Sequence, residues 1–566
     1  MGDNLTTSHR ACNSLVDILL ANGVGHVVIS PGSRNAPLIV ALARCCEIKK
    51  FVIIDERSAA FVALGIAQHT DAPVALVCTS GSALLNYAPA VAEAYYKSLP
   101  LIVISADRPL EWINQDDSQT IAQVGALDNI VKGCYDVPAE HNSATMQWYV
   151  NRTLNDALIA ATSGRKAPVH INMQLNEPLY NMVDRGSLTE TRVINRIGAT
   201  NVVSKDDIDY LSKQIANAKR VLIVAGYGSA NAELDLAIER LAAMVNVVVL
   251  TETISNIKCE GTLKSIDRVL SAMDKGEMGD FAPDLLITFG GALVSRIVKQ
   301  LLRSNRAKEH WHVGITENSI DCMQSLTTRV EVAPKQFLSQ LVDGVADNEC
   351  VYSDYADKWK ALANAALDSQ NRYIENIEWC DLKAFSILLP MIPKDYVVHL
   401  SNGTPIRYSQ LFGEQVTAST RCNRGVSGID GCGSTALGES LVSDAPTLLI
   451  TGDMSFSYDI AAMTSKYNST NFKIIVMANG GGGIFRFIKG ASDLAELEEY
   501  LEVKRDVPIE RYAAAFGYDY FSTSNMSELE VAMGQFIDNN APSILAIHTP
   551  SELNAEVLRG YFRRNK

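Results

Sequence analysis

The sequence predicts an α/β protein of three doubly wound parallel-sheet domains, with the first and third domains related to each other. Three observations predict it: short apolar runs alternate with amphipathic stretches from end to end, those runs stop at Gly, Ser or Asp, and one stretch recurs near the other end of the chain. The runs read as strands are Phe51–Asp55, Val74–Thr79, Leu101–Ala106, Val221–Ala225, Leu285–Phe289, Thr447–Thr451 and Lys473–Ala478. Unbroken apolar strands separated by helical periods belong to parallel sheets covered on both faces. In such sheets ligands gather at the carboxyl ends of the strands.

The recurrence organises the chain. Ala63-Leu64-Gly65, five residues and Asp71-Ala72-Pro73 return as Ala436-Leu437-Gly438, five residues and Asp444-Ala445-Pro446. A strand follows each copy, then a glycine, Gly81 or Gly452, and the next apolar run opens twenty residues later in both, at Leu101 and Phe472. Matched order and spacing imply two related domains, 1–185 and 370–566, around a central α/β unit at 200–345. The polar stretches 181–205 and 345–375 read as linkers.

Composition removes whole classes. The 566 residues carry 50 Lys+Arg against 64 Asp+Glu, a net charge of −14, with no basic block to hold nucleic acid or an anionic membrane. The short run Arg563-Arg564-Asn565-Lys566 reads as a solvated tail. Eleven cysteines without C-x-x-C suit reduced thiols, not a disulfide frame or zinc site. With no run of membrane-spanning length and no signal-peptide pattern, the expectation is a cytoplasmic protein without membrane insertion.

The third domain carries most of the chemistry. Gly452-Asp453 closes one strand, with Ser455 beyond, and Asn479 closes the next, in Ala478-Asn479-Gly480-Gly481-Gly482-Gly483. Neighbouring parallel strands place that carboxylate and amide oxygen at one sheet edge. Hard oxygen ligands completed by phosphate oxygens suit Mg²⁺, helix N-termini add N–H groups for the phosphates, and glycines let backbone approach the ligand. In the first domain Glu56, within Asp55-Glu56-Arg57, stands at a strand end entering a helix. Seven residues separate Glu56 from Ala63 and Ile429 from Ala436, so the repeat puts Glu56 and Ile429 at corresponding positions.

Several weaker signals read as ordinary structure. Gly226-Tyr227-Gly228-Ser229 is half of a dinucleotide fingerprint and reads as a tight turn. His310-Trp311-His312 reads as structural, and Glu496, Glu498, Glu499 and Glu502 as a solvated helix face. The sequence has no G-x-S-x-G, H-E-x-x-H or G-x-x-x-x-G-K-[ST].

The Gly-Asp…Asn spacing resembles the Gly-Asp-Gly…Asn-Asn signature of thiamine diphosphate enzymes, with Met454 and Ala478 departing from it. Ile29-Ser30-Pro31-Gly32-Ser33-Arg34, Ser105-Ala106-Asp107-Arg108-Pro109, Ser118-Gln119-Thr120-Ile121 and Asn423-Arg424-Gly425-Val426-Ser427-Gly428-Ile429-Asp430-Gly431 narrow it. Together, from about residue 8 to 560, they resemble the menaquinone-pathway synthases of that class. The resemblance implies thiamine diphosphate with Mg²⁺ or Mn²⁺ on Asp453, Asn479 and the carbonyl of Gly481. Asn402, Gly403, Gly452 and Ser455 complete the cofactor's surroundings, and Ile429, Ile484 and Phe485 its apolar walls. It also implies that Glu56 bonds the cofactor's aminopyrimidine and starts catalysis. The reaction implied is decarboxylation of 2-oxoglutarate and addition of the succinyl carbanion equivalent to isochorismate. Ser33, Arg34, Arg108, Gln119, Arg296, Arg407 and Arg424 are the implied clamps for these dicarboxylates. Ser118 stands where Asn is common in the family, and Ser295 where Lys can occur. A homodimer is the implied minimum, because the class builds one site from two subunits, and a tetramer is the larger assembly left open. Rival readings are another thiamine diphosphate 2-oxo acid decarboxylase or acetolactate-type carboligase or, given Met454 and Ala478, a non-catalytic regulatory relative.

Overall fold

The computed structural model describes residues 4–139, 143–273, 276–346, 348–467, 470–488 and 490–563. The last three residues of the basic tail therefore lie outside it. Two compact units divide the chain: Met1–Ala199 with Gly425–Asp444 and Tyr458–Ser469, and Thr200–Arg424 with Ala445–Ser457 and Thr470–Lys566.

The sheet of the first unit contains β1 (His26–Ile29), β2 (Lys49–Val52), β3 (Val74–Cys78), β4 (Leu101–Asp107), β5 (Cys134–Val137) and β6 (Val169–Gln174). They lie all parallel in the order β2-β1-β3-β4-β6-β5. The second unit holds two further parallel sheets. One is built from β7 (Val221–Ala225), β8 (Val247–Thr251), β9 (Leu285–Phe289), β10 (Glu309–Val313) and β11 (Thr328–Val330), in the order β8-β7-β9-β10-β11. The other is built from β12 (Val397–Leu400), β13 (Ser419–Arg421), β14 (Thr447–Gly452), β15 (Phe472–Ala478), β16 (Asp519–Thr523) and β17 (Ser543–His548), in the order β13-β12-β14-β15-β17-β16. First and last sheets thus have the same permutation of strands, and the repeat read in the sequence is a repeat of topology.

The repeated tripeptides have a packing reason. Ala63-Leu64-Gly65 lies in helix α1 (Glu56–Thr70) and Ala436-Leu437-Gly438 in helix α2 (Cys432–Ser440), which cross within the first unit. A Cβ on Gly65 would fall inside the carbonyl oxygen of Thr435, and one on Gly438 inside that of Val62. The contact is reciprocal, because Val62 and Thr435 each precede the tripeptide. Only a residue without a side chain permits backbones to approach so closely.

Central strands are buried on both faces, as a parallel sheet between helices requires: every residue of β3, β4, β7 and β9 is buried. Their solvent-free interiors explain why the sequence shows unbroken apolar runs and no alternation.

Three local expectations are corrected. The run read from Phe51 to Asp55 pairs only at Lys49–Val52, because Asp55 caps α1 by accepting from the N–H of Ser58. The stretch 345–375 is not simply a linker: Tyr355–Glu375 is a helix of 21 residues, with Tyr355 and Trp359 buried. Its apolar contacts are few and large, so its outward faces read as polar. Glu502 is fully buried, not solvated; it ion-pairs with Arg486 at 2.6 Å and accepts from Ser551 Oγ at 2.6 Å. The arginine supplies the charge that lets a carboxylate leave water.

His310 and His312 on β10 are buried and share the hydroxyl of Thr288 at 2.9 and 3.0 Å, a structural arrangement. None of the eleven cysteines is joined in a disulfide. Gly226 marks a tight turn against Gly291, where a side chain would overlap the backbone.

Candidate active site

Asp453 begins where β14 ends and is 2 % exposed. Its Oδ2 accepts from the backbone N–H groups of Gly480 (2.8 Å) and Gly481 (3.1 Å), just beyond β15. Its Oδ1 is buried without a partner among the described residues. A buried carboxylate oxygen in that state calls for a ligand or a cation. Burial pushes the carboxyl up to about 6, against the opposing pull of the N–H donors of Gly480, Met454 and Gly481.

Asn479, on the adjacent strand end, is also buried and donates through Nδ2 to Asp381 Oδ2 at 2.9 Å. That leaves its amide oxygen as the remaining polar atom. Gly481 has φ +141°, and a Cβ there would lie 2.7 Å from the carbonyl oxygen of Glu502. Here glycine is required by conformation and by space. Its carbonyl accepts from Gly483 N–H at 2.9 Å, with a second lone pair still available. No group of three His, Cys, Asp or Glu side chains could hold an ion among the described residues. One carboxylate, one amide oxygen and one carbonyl form a donor set that fits Mg²⁺ or Mn²⁺ only if other oxygens complete it, as a diphosphate does.

Around this set Ser455 is buried, Gly452 faces open space, and Ile484 and Phe485 sit half-buried in the turn Gly483–Phe487. Beyond β12, Asn402 is buried and donates to the carbonyl of Asn423 at 2.6 Å, with Gly403 following at φ +101°.

A cationic cluster occupies the same unit. Arg424 donates to Asn402 Oδ1 at 2.9 Å and to Leu293 O at 3.5 Å, while its Nε is buried without a partner among the described residues. Arg407 donates to Gly403 O. Burial, then the nearby Arg424 and Arg296, pull its guanidinium below the usual range, with Asp267 opposing. No ion pair to a carboxylate is formed by Arg296, Arg407 or Arg424 among the described residues. Three neighbouring guanidiniums without carboxylate partners are chemically suited to an anion.

Glu252, which the sequence did not single out, underpins that cluster. Its fully buried carboxylate accepts from the N–H of Val294 (2.8 Å) and Ser295 (2.7 Å), fixing the turn that presents Arg296. Burial pushes it up to about 7, against those N–H donors and Arg424. Ser295 caps the helix Arg296–Ser304 and donates to Asp267.

The first unit gathers the other expected residues. Glu56 opens α1, half-buried, at the carboxyl end of the sheet; its charge is felt by the buried Cys78 thiol and Tyr87 hydroxyl, both raised chiefly by burial. Arg34 is 7 % exposed, donates to Leu175 O at 3.0 Å and pairs with Glu177 at 3.3 Å. Burial and the neighbouring Arg108 lower its guanidinium. Arg108 pairs with Asp117 at 2.6 Å and donates to Ser118 O at 3.1 Å. Gln119 is exposed, has φ +60° and packs over Gly81, and Ser33 is exposed beside Arg34. Ile429 is 40 % exposed, high for an apolar residue on an ordered loop.

Glu93, also missed by sequence reading, fixes that loop. It is 1 % exposed and accepts from the N–H of Gly425 and Val426, each at 2.7 Å. Lone acids such as Glu93, Glu252 and Asp381 give no sequence signal, since their partners are backbone groups or distant side chains.

Three family models match this chain. Residues 9–126 match the thiamine pyrophosphate enzyme N-terminal TPP binding domain. Residues 199–383 match the middle domain of thiamine pyrophosphate enzymes, and 417–547 their C-terminal TPP binding domain. A 2-succinyl-5-enolpyruvyl-6-hydroxy-3-cyclohexene-1-carboxylate synthase of Porphyromonas gingivalis is 39% identical over 567 residues, spanning 99% of this chain and 98% of its own. Proteins with the same name from Flavobacterium johnsoniae (37% identical, 97% of this chain and 98% of theirs) and Bacteroides thetaiotaomicron (36%, 98% and 98%) are similar throughout.

Proposed function

The chain belongs to the 2-succinyl-5-enolpyruvyl-6-hydroxy-3-cyclohexene-1-carboxylate synthases among the thiamine pyrophosphate enzymes, and from that premise we propose that it removes carbon dioxide from 2-oxoglutarate and joins the succinyl unit to isochorismate. This is a transferase step of menaquinone biosynthesis. The bound thiamine diphosphate supplies an electron sink that lets a 2-oxo acid lose carbon dioxide and react as an acyl carbanion equivalent.

The observation that carries this reading is the pair of unmet needs in the second unit: a buried, partnerless Asp453 Oδ1 and a buried, partnerless Arg424 Nε. The first fits a divalent cation and the second an anionic substrate. Asp453, Asn479 and the Gly481 carbonyl would hold Mg²⁺ or Mn²⁺ with the diphosphate. Asn402, Gly403, Gly452 and Ser455 would line the cofactor, with Ile429, Ile484 and Phe485 as its apolar walls.

The protein's own part is orientation and charge. Arg296, Arg407 and Arg424 neutralise substrate carboxylates in a partly buried setting, where a guanidinium fork is worth more than at the surface. Ser33, Arg34, Arg108 and Gln119 are the proposed contacts from the first unit. Glu56 would hold a proton against the aminopyrimidine nitrogen of the bound cofactor, favouring its basic form. The proposed functional domains remain 1–185, 200–345 and 370–566. A homodimer is the proposed minimum assembly and the cytoplasm the proposed location; among the described residues no helix is long and apolar enough to cross a membrane.

The test supplies 2-oxoglutarate and isochorismate with thiamine diphosphate and Mg²⁺ and follows isochorismate absorbance. Loss of absorbance only with pyruvate, or none at all, overturns the assignment.

A further inference from the structure

We propose that Asp381 is the positioning residue that turns the amide oxygen of Asn479 toward the metal ion. This rests on Asp453, Asn479 and Gly481 being the metal site. An asparagine amide offers an acceptor at one end and two donors at the other, and only the oxygen serves a hard cation. Nothing in Asn479 or its strand decides which end faces the site.

The decision comes from a segment 98 positions away. Asp381 is fully buried at the first position of the helix Asp381–Met391. Its Oδ2 accepts from Asn479 Nδ2 at 2.9 Å and its Oδ1 from Thr549 Oγ1 at 2.6 Å. The direction of the second bond is itself fixed, because Asn554 Nδ2 donates to Thr549 Oγ1 at 3.0 Å, leaving the threonine proton for Asp381. Asn554 Oδ1 in turn accepts from the backbone N–H of Asp381 at 2.7 Å. Every group has one role, and flipping the Asn479 amide would set its oxygen against a carboxylate. Asp453 is arranged on the same plan, with one oxygen held by the protein and the other free. Partners that orient metal ligands in this way commonly change metal affinity 10–100-fold when altered.

The geometry makes a specific substitution informative. In Asp381→Asn the side-chain oxygen stays toward the Thr549 proton, so the new NH₂ faces Asn479. Two donors then oppose each other, Asn479 flips, and its NH₂ replaces its oxygen at the ion. The reciprocal double variant Asp381→Asn with Asn479→Asp restores a donor–acceptor pair and returns an oxygen to the site.

The experiment titrates Mn²⁺ into the full-length protein at saturating thiamine diphosphate and reads free Mn²⁺ by electron paramagnetic resonance. The melting temperature of each variant without metal is measured alongside. Asn479→Ala and Asp381→Asn are each expected to weaken Mn²⁺ binding about tenfold or more, and the double variant to recover most of it. The metal-free melting temperature of Asp381→Asn is expected to stay near that of the parent. Unchanged affinity in Asp381→Asn, beside a loss in Asn479→Ala, overturns the proposal and leaves the metal site standing. A loss that the double variant does not recover also overturns it, assigning Asp381 to folding alone. Unchanged affinity in Asn479→Ala overturns the metal site itself, and this proposal with it.

Discussion

Gly65 lies against the backbone carbonyl of Thr435 so closely that no side chain fits between them, and its counterpart in the repeat, Gly438, lies in the same way against Val62. This close crossing anchors α1, the helix that begins at Glu56. Gly65→Ala or Gly438→Ala is expected to destabilise the first unit by about 1–3 kcal/mol, the usual range for overpacking. Gly534→Ala, in open space on the helix Met526–Asp538, is expected to be neutral or stabilising. Thermal unfolding of the three variants checks the contrast.

Glu56→Gln is expected to leave thiamine diphosphate affinity largely intact while slowing exchange of the cofactor's C2 proton by about 10²–10⁴. Nuclear magnetic resonance in deuterated water reads the exchange directly. An unchanged rate would remove Glu56 from the chemistry.

Arg424→Lys keeps the charge and loses the planar fork. With its Nε buried and partnerless, Arg424 is expected to serve substrate carboxylate, so KM should rise about 10–100-fold with a smaller effect on kcat. Steady-state kinetics with each substrate varied in turn gives the answer, and an unchanged KM for both would place Arg424 outside the anion site.

Glu93→Gln replaces one of two acceptor oxygens by a donor facing a backbone N–H of the 425–426 turn. An opposed buried donor pair costs about 1–3 kcal/mol. The expected result is faster hydrogen exchange across residues 425–431 and weaker substrate binding. Exchange measured by mass spectrometry tests it, with Glu111→Gln, on an exposed turn, as the neutral comparison.

Glu252 gives a pH signature. Its folded-state value is raised to about 7 from 4.5, so the folded protein holds a proton that the unfolded chain has released. The stability linked to it is fully present below pH 4.5 and is lost as pH rises through 7, a change on the order of 3 kcal/mol. The advantage of the parent over Glu252→Gln is therefore expected to be largest near pH 4.5 and to shrink toward neutrality. Melting temperatures across that range check the sign; a constant difference would mean that Glu252 is ionised throughout.

Local pattern made the sheets and strand ends legible, because a parallel strand must be apolar along its length and must stop at a residue that allows a turn. Asp453 and Asn479 stand at such ends and Glu56 opens the helix that follows one, so their positions were legible while their roles came from the resemblance. The helix Tyr355–Glu375 was hidden because it packs through a few large side chains, and the burial of Glu502 because its counter-charge is Arg486.

Residue order along the chain settles which chemical groups the sheet edges carry and in what order the repeat presents them. Which atoms of those groups are free is a matter of how distant segments pack. Asp453 has a spare oxygen because Gly480 and Gly481 occupy the other, and Asn479 is oriented because Asp381, Thr549 and Asn554 converge on it. The physical reason is that spacing along a strand fixes position to within a residue. The direction of a buried hydrogen bond depends instead on partners that distant segments bring into a space from which water is excluded.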